Sequence, residues 1–231
     1  MRLNFWIAFR FLFSRQILFG GSAPLSFLGL IIGVAALVVS MAVMSGFTNT
    51  LKTAMTDVTS DIQIVGSGRL LNNWNQFSEK IKEVSPEVKA LMRFAQSEAI
   101  LAKQGQVAGV LFQGIEKKDY KDVINISPRV KNGTFDVKQG ELSVGIGISK
   151  KFNLNVGDKF YLVIPMATPF GNGGFKRKSK EFVVGSVIDF GKNDWNERLV
   201  VGDLKDLQEI TEIGDRYVGA FVKLQNSDDA N

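Results

Sequence analysis

The hydrophobic pattern of the chain changes character once. Residues 27–47 read FLGLIIGVAALVVSMAVMSGF, an apolar run whose only polar side chains are Ser40 and Ser45. As a helix rising about 1.5 Å per residue, it spans roughly 31 Å, matching a hydrocarbon core of about 30 Å. The pattern therefore predicts a transmembrane helix within 24–51. A buried helix of a soluble protein and a cleaved signal peptide are the competing readings. The run is longer than a signal-peptide core, and Ala42-Val43-Met44-Ser45-Gly46 is a poor cleavage site. Ahead of it, residues 3–13 mix Phe5, Trp6, Phe9, Leu12 and Phe13 with Arg10. This predicts an amphipathic segment, 1–23, lying at the cytoplasmic interface. Gly20-Gly21-Ser22-Ala23-Pro24 separates the two.

Beyond the run the periods become those of a globular domain, 52–231. Alternation or short apolar runs predict strands at 61–65, 88–94, 98–102, 106–115, 141–144, 159–165, 181–190, 198–201 and 218–224. Helical spacing of Phe77, Ile81 and Val84 predicts a helix over 74–84. Further helices are expected at 148–152 and 203–210, the second capped by Asp203, with a helical turn at 117–123. Residues 128–133 read as a loop, and 155–158 (NVGD) as a tight turn. The expected fold class is α+β: an N-terminal transmembrane helix followed by an α+β domain, expected to comprise two subdomains.

Charge sharpens this division. No acidic residue precedes Asp57, and Arg2, Arg10, Arg15 and Lys52 are the only charged side chains before it. Setting those aside leaves 24 Lys/Arg against 23 Asp/Glu, so four of the five net positive charges belong to the N-terminal end. Three arginines before an uncharged span predict a cytoplasmic N-terminus and an extracytoplasmic main domain. The near-neutral remainder gives no basic face for nucleic acid.

The chain contains neither Cys nor His. That excludes disulfides, zinc–thiolate sites, thiol nucleophiles and an imidazole base. It also lacks GxxxxGK[ST], so no P-loop is present. No catalytic residue, metal site or cofactor is expected. Asp189, Asp194 and Glu197 cluster around Gly191, but their spacing fits no EF-hand and they read as a solvated turn, as does Asp158.

Two stretches carry candidate binding chemistry. Residues 165–180 (PMATPFGNGGFKRKSK) join two strands that should form a hairpin, yet the connection has about 15 residues where about 2–5 are usual. It bears Pro165, Met166, Pro169, Phe170 and Phe175, then Lys176, Arg177 and Lys178. It reads either as a disordered tip or as an element that docks a partner. Met41, Met44 and Phe47, offset by three, lie near the outer end of the spanning helix. They are either acyl-chain contacts or plain lipid-facing side chains. Gly29 and Gly33 give small-xxx-small spacing for close helix approach.

Four ordered motifs resemble one family. MAVMSGF (41–47) is similar to the MSVMNGF signature of lipoprotein-releasing ABC transporter permeases, the LolC/LolE group within the MacB/FtsX-like superfamily. GVLFQGI (109–115), LSVGIGISKKFNLNVGD (142–158) and FVVGSVIDFG (182–191) resemble its later motifs in the same order. Ile148-Ser149 and Thr48–Thr50 depart from the family pattern. The resemblance implies a MacB-like periplasmic α+β domain on an inner-membrane permease without chemistry of its own. The implied partners are a second permease subunit, identical or paralogous, two ATPase subunits, a periplasmic lipoprotein carrier and a triacylated lipoprotein substrate. It implies that 165–180 is the hook that grips the carrier and that the spanning helix helps form the lipoprotein cavity. It also implies three further spanning helices beyond residue 231. The alternatives are another permease of the superfamily, for export or division, and a single-pass anchored sensor or binding ectodomain.

Overall fold

Gln104 and Gly105 reverse the chain with φ of 49° and 81°. Two left-handed residues make the tight turn that matches strand twist, and Gly bears the second without a Cβ clash. In this computed structural model the turn joins β2 (Val88–Lys103) to β3 (Gln106–Ile115) in an antiparallel ladder from Phe94↔Ile115 to Lys103↔Gln106. The structure describes residues 6, 7, 10, 23–167 and 175–225. Two compact units result, Met1–Leu51 and Lys52–Asn231.

The elements run α1 (Ala23–Thr59), β1 (Ile62–Val65), α2 (Trp74–Val84), β2, β3, α3 (Tyr120–Val123), a 3-10 turn (Ser127–Arg129), β4 (Val130–Gly133) and β5 (Glu141–Gly145). They continue with α4 (Ile146–Phe152), β6 (Lys159–Ala167), β7 (Phe175–Ile188), α5 (Asn193–Arg198), β8 (Leu199–Asp203), α6 (Leu204–Thr211) and β9 (Gly219–Leu224). The order β2-β3-β8-β5-β7 is closed by β6, which pairs with both β7 and β2. A six-stranded barrel results, with parallel contacts at β3–β8 and β5–β7. Closure removes the edges that an open sheet would expose. β9 and β1 extend the sheet outward from the first half of β2, and β4 pairs with the end of β7.

The pleat sorts side chains to two large cores and a small third cluster of Leu91, Val222 and Leu224. Leu101, Val110, Phe112, Leu142, Phe160, Leu162, Phe182 and Val200 fill the barrel. Leu204, Leu207 and Ile210 of α6 belong to the same core, so α6 caps the barrel. Met92, Phe94, Ile115, Phe190, Leu199 and Phe221 form the second core with Tyr120, Val123 and Phe135. At about 1.5–3 kcal/mol per buried large side chain, these two clusters supply most of the folding drive.

The fold is α+β with an N-terminal apolar helix, in agreement with the pattern, and differs from it in four places. Residues 88–94 and 98–102 are one strand. Gln96 and Ser97 interrupt its apolar run but pair with Gln113 and Phe112 without a break. Residues 128–133 are a 3-10 turn and the short strand β4, held by pairing to β7 and by Val130 against the second core. Asn193–Arg198 is a helix that the pattern does not mark. The connection at 165–180 is largely strand: Pro165↔Arg177, Met166↔Lys176 and Ala167↔Phe175 continue the β6–β7 ladder. Backbone pairing at a ribbon's end needs no apolar alternation, which is why the pattern misses it.

Candidate functional site

The first candidate surface is α1. Residues Leu25–Thr50 have mean hydropathy 2.6 and form the one helix among the described residues long and apolar enough to cross a membrane. Every described side chain on it is exposed. Met41, Met44 and Phe47 stand 67%, 64% and 59% exposed. Thr48 Oγ1 donates to the Met44 carbonyl and Thr50 Oγ1 to that of Gly46, both at 2.9 Å. These back-bonds satisfy the hydroxyls within the helix, as a nonpolar surrounding requires. A Cβ at Gly29 or Gly33 would meet nothing within 4 Å. In the N-terminal segment the Arg10 guanidinium sits 5.3 Å over the Trp6 ring. The rest of the expected amphipathic helix lies outside the described residues.

The second is the β6–β7 hairpin. Pro165 and Arg177 are exposed cross-strand partners on its arms. Met166, Phe175 and Lys176 are placed as ladder positions. Pro169 and Phe170 lie outside the described residues. At the root, Lys159 Nζ and Tyr161 Oη each donate to the Glu181 carboxylate at 2.8 Å. The Lys159 hydrogen bond, then that of Tyr161, holds Glu181 below the usual carboxylate range.

Parity divides the basic run. Lys178 and Lys180 pair across the ladder with Ile164 and Leu162, which face the barrel core. They therefore lie on the inward face, while Arg177, Ser179 and Glu181 face out. Lys180 Nζ donates to Asp206 Oδ1 (2.8 Å) and Glu209 Oε2 (2.5 Å), and lies 5.6 Å over the Phe182 ring. Asp206, 1% exposed, also accepts from the Gly140 amide at 2.7 Å. Lys178 pairs with Glu212. Burial works against the Lys180 ammonium, but the bonds to Asp206 and Glu209 outweigh it and hold its pKa above the ordinary lysine value. Lys178 is one of the docking candidates in the sequence, and Lys180 follows it in the same basic run. The signal for these ion pairs in the sequence is period: cations at 178 and 180 on one strand face, acids at 206 and 209 on one helix edge.

Two clefts remain. One of about 570 Å³ lies among Ala108, Ile146, Lys150, Asn196 and Arg198. The other, about 370 Å³, is lined by Arg93, Lys117, Lys138, Asp203 and Lys205. Of the acidic residues weighed from the sequence, Asp189 accepts from the Gly191 amide and Asn196 Nδ2, both at 3.0 Å, which makes it a turn brace. Asp158 accepts from the Asn155 amide (3.0 Å) and Lys103 Nζ (2.9 Å). Among the described residues no group of three or more His, Cys, Asp or Glu could hold a metal.

Among curated proteins, the lipoprotein-releasing system transmembrane protein LolC of Xylella fastidiosa (strain Temecula1) is 25% identical over 210 residues, covering 89% of this chain and 49% of that protein. LolC of Neisseria meningitidis serogroup B is 24% identical over 236 residues, with 99% and 56% covered. LolE of Haemophilus influenzae is 25% identical over 237 residues, with 98% and 56% covered. The chain spans about half the length of these curated relatives. Among solved structures, the extracellular domain of the ABC-type transporter YknZ aligns with TM-score 0.49 and 13% identity over 73% of this chain and 83% of that one. The periplasmic region of MacB from Actinobacillus actinomycetemcomitans aligns with TM-score 0.48 and 14% identity over 71% and 73%. The sequence profile of one family matches residues 25–231, nearly the whole chain: the protein belongs to the MacB-like periplasmic core domain family.

Proposed function

We propose that this chain is the N-terminal part of a permease subunit of an ABC transporter that extracts lipoproteins from the inner membrane and hands them to a soluble periplasmic carrier. The observation that carries the reading is the similarity to LolC and LolE, named as lipoprotein-releasing transmembrane proteins, over up to 99% of this chain. In this reading α1 anchors the chain with its N-terminus in the cytoplasm. Its exposed Met41, Met44 and Phe47 contact the acyl chains of the triacylated substrate, where flexible thioethers adapt to irregular apolar shapes. The β6–β7 hairpin docks the carrier through its apex, with Pro169 and Phe170. ATP is hydrolysed by two copies of a separate subunit, and a second permease subunit completes the assembly.

Two measurements test this reading. Depletion of the protein should leave outer-membrane lipoproteins in the inner-membrane fraction, and the chain should co-purify with a P-loop ATPase. An unchanged lipoprotein distribution after depletion contradicts the reading. A second reading, a MacB-like permease with another cargo, is favoured by the family match, which specifies no lipoprotein. Under that reading the ATPase still co-purifies while lipoprotein sorting is unaffected.

A further inference from the structure

We propose that α6 is a charged latch that fixes the direction in which the β6–β7 hairpin leaves the barrel, with Lys178 and Lys180 acting as positioning residues and not as docking charges. The consequence for carrier binding rests on the reading above; the latch itself rests on geometry. Ladder bonds fix the register of a two-stranded ribbon but hold it only weakly against bending and twisting relative to its base. Here the base is held from the side. Along the inward face of β7 the buried Val184 and Phe182 give way to Lys180 and Lys178 where the strand rises past the barrel mouth. That mouth is closed by α6, which is fixed in turn by Leu204, Leu207 and Ile210 in the barrel core. Asp206, Glu209 and Glu212 lie along or just past its edge and take up the two lysines. An exposed ion pair contributes little alone, but Asp206 is buried and held by the Gly140 amide, so its partner Lys180 has a preset anchor. Arg177, on the opposite face of the same arm, is left as the outward cation.

The test uses the full chain in nanodiscs. The chain has no cysteine, so Arg177→Cys and Lys80→Cys introduce a unique spin-label pair, one label on the hairpin arm and one on α2. A narrow distance distribution is expected for the parent. It should broaden in Lys178→Gln and in Lys180→Met combined with Asp206→Asn, and narrow again in the swap Lys178→Glu with Glu212→Lys. Should the Asp206 variant fail to fold, Lys178→Gln, Glu212→Gln and the swap, which touch no buried carboxylate, carry the test. On unlabelled protein, loss of the latch should weaken carrier binding by roughly fivefold, because a preorganised element becomes mobile. Unchanged distributions in the folded latch variants overturn the latch. Broadened distributions with carrier binding unaltered leave the latch standing and contradict the docking role of the hairpin.

Discussion

Ala167 and Phe175 are the last cross-strand partners of the β6–β7 ladder, so the connection between the strands spans residues 168–174. The described part of the hairpin is a two-stranded ribbon. Its charges divide by face, and Arg177 is the exposed outward cation. Arg177→Gln should slow carrier association by about threefold at low salt, with dissociation little changed, and the difference should shrink as salt screens the pair. Stopped-flow or surface-binding kinetics at two ionic strengths measure this.

The edge of the sheet depends on one buried carboxylate. Asp61 accepts from the Leu224 amide and from Lys223 Nζ, both at 3.0 Å, and Ser60 Oγ donates to the Val222 carbonyl at 2.6 Å. Asp61→Ala strands the amide and the ammonium, costing about 1–3 kcal/mol. Hydrogen exchange should accelerate first in β1 and β9, with the barrel strands still protected.

Asp203 gives a pH dependence of opposite sign to the usual carboxylate. Burial is the largest influence and raises its pKa above the ordinary 3.8, although its side chain caps α6 by accepting from the Lys205 amide at 2.8 Å. Below about pH 3.8 the carboxyl is protonated in both folded and unfolded chains and carries no penalty. As pH rises through the ordinary value and then the raised one, the folded state is progressively disfavoured. Asn caps as well as Asp. Asp203→Asn should therefore gain stability relative to the parent at neutral pH and lose that advantage near pH 3. Urea titrations at the two pH values, compared between parent and variant, check the sign.

Local features were legible in the sequence. The run at 27–47, β3 and the Asp203 cap of α6 depend on neighbours in the chain, and the structure places each where the pattern does. Long-range pairings were not. β2 pairs with β3 on one edge and, on the other, with β9 along its first half and β6 near its end, so no single period describes it. Closure of the barrel through Leu101↔Leu162 joins strands about 60 residues apart, which no local window sees. The hairpin arms were hidden because 165–180 read as one long connection carrying a basic run, whereas Lys178 and Lys180 pair with acids on or just past α6, a later helix.

Topology is open to direct measurement because the chain has no native cysteine. A single cysteine at Lys80 should react with a membrane-impermeant maleimide in intact spheroplasts, and one at Arg15 only after lysis. After alkaline extraction the protein should stay in the membrane pellet. Release of a chain shortened by the first 45 or so residues would show a cleaved signal instead.

The central claim is that the β6–β7 hairpin docks a soluble lipoprotein carrier, and carrier affinity for an apex-replaced chain tests it most directly. Residues 168–174 are exchanged for a short Gly-Ser turn that preserves the Ala167–Phe175 closure. Burial of Phe170 alone would contribute about 1.5–3 kcal/mol. The account predicts carrier binding at least roughly tenfold weaker, equivalent to about 1.4 kcal/mol, with the melting temperature nearly unchanged. Carrier affinity equal to that of the parent, in a folded apex-replaced chain, would contradict it.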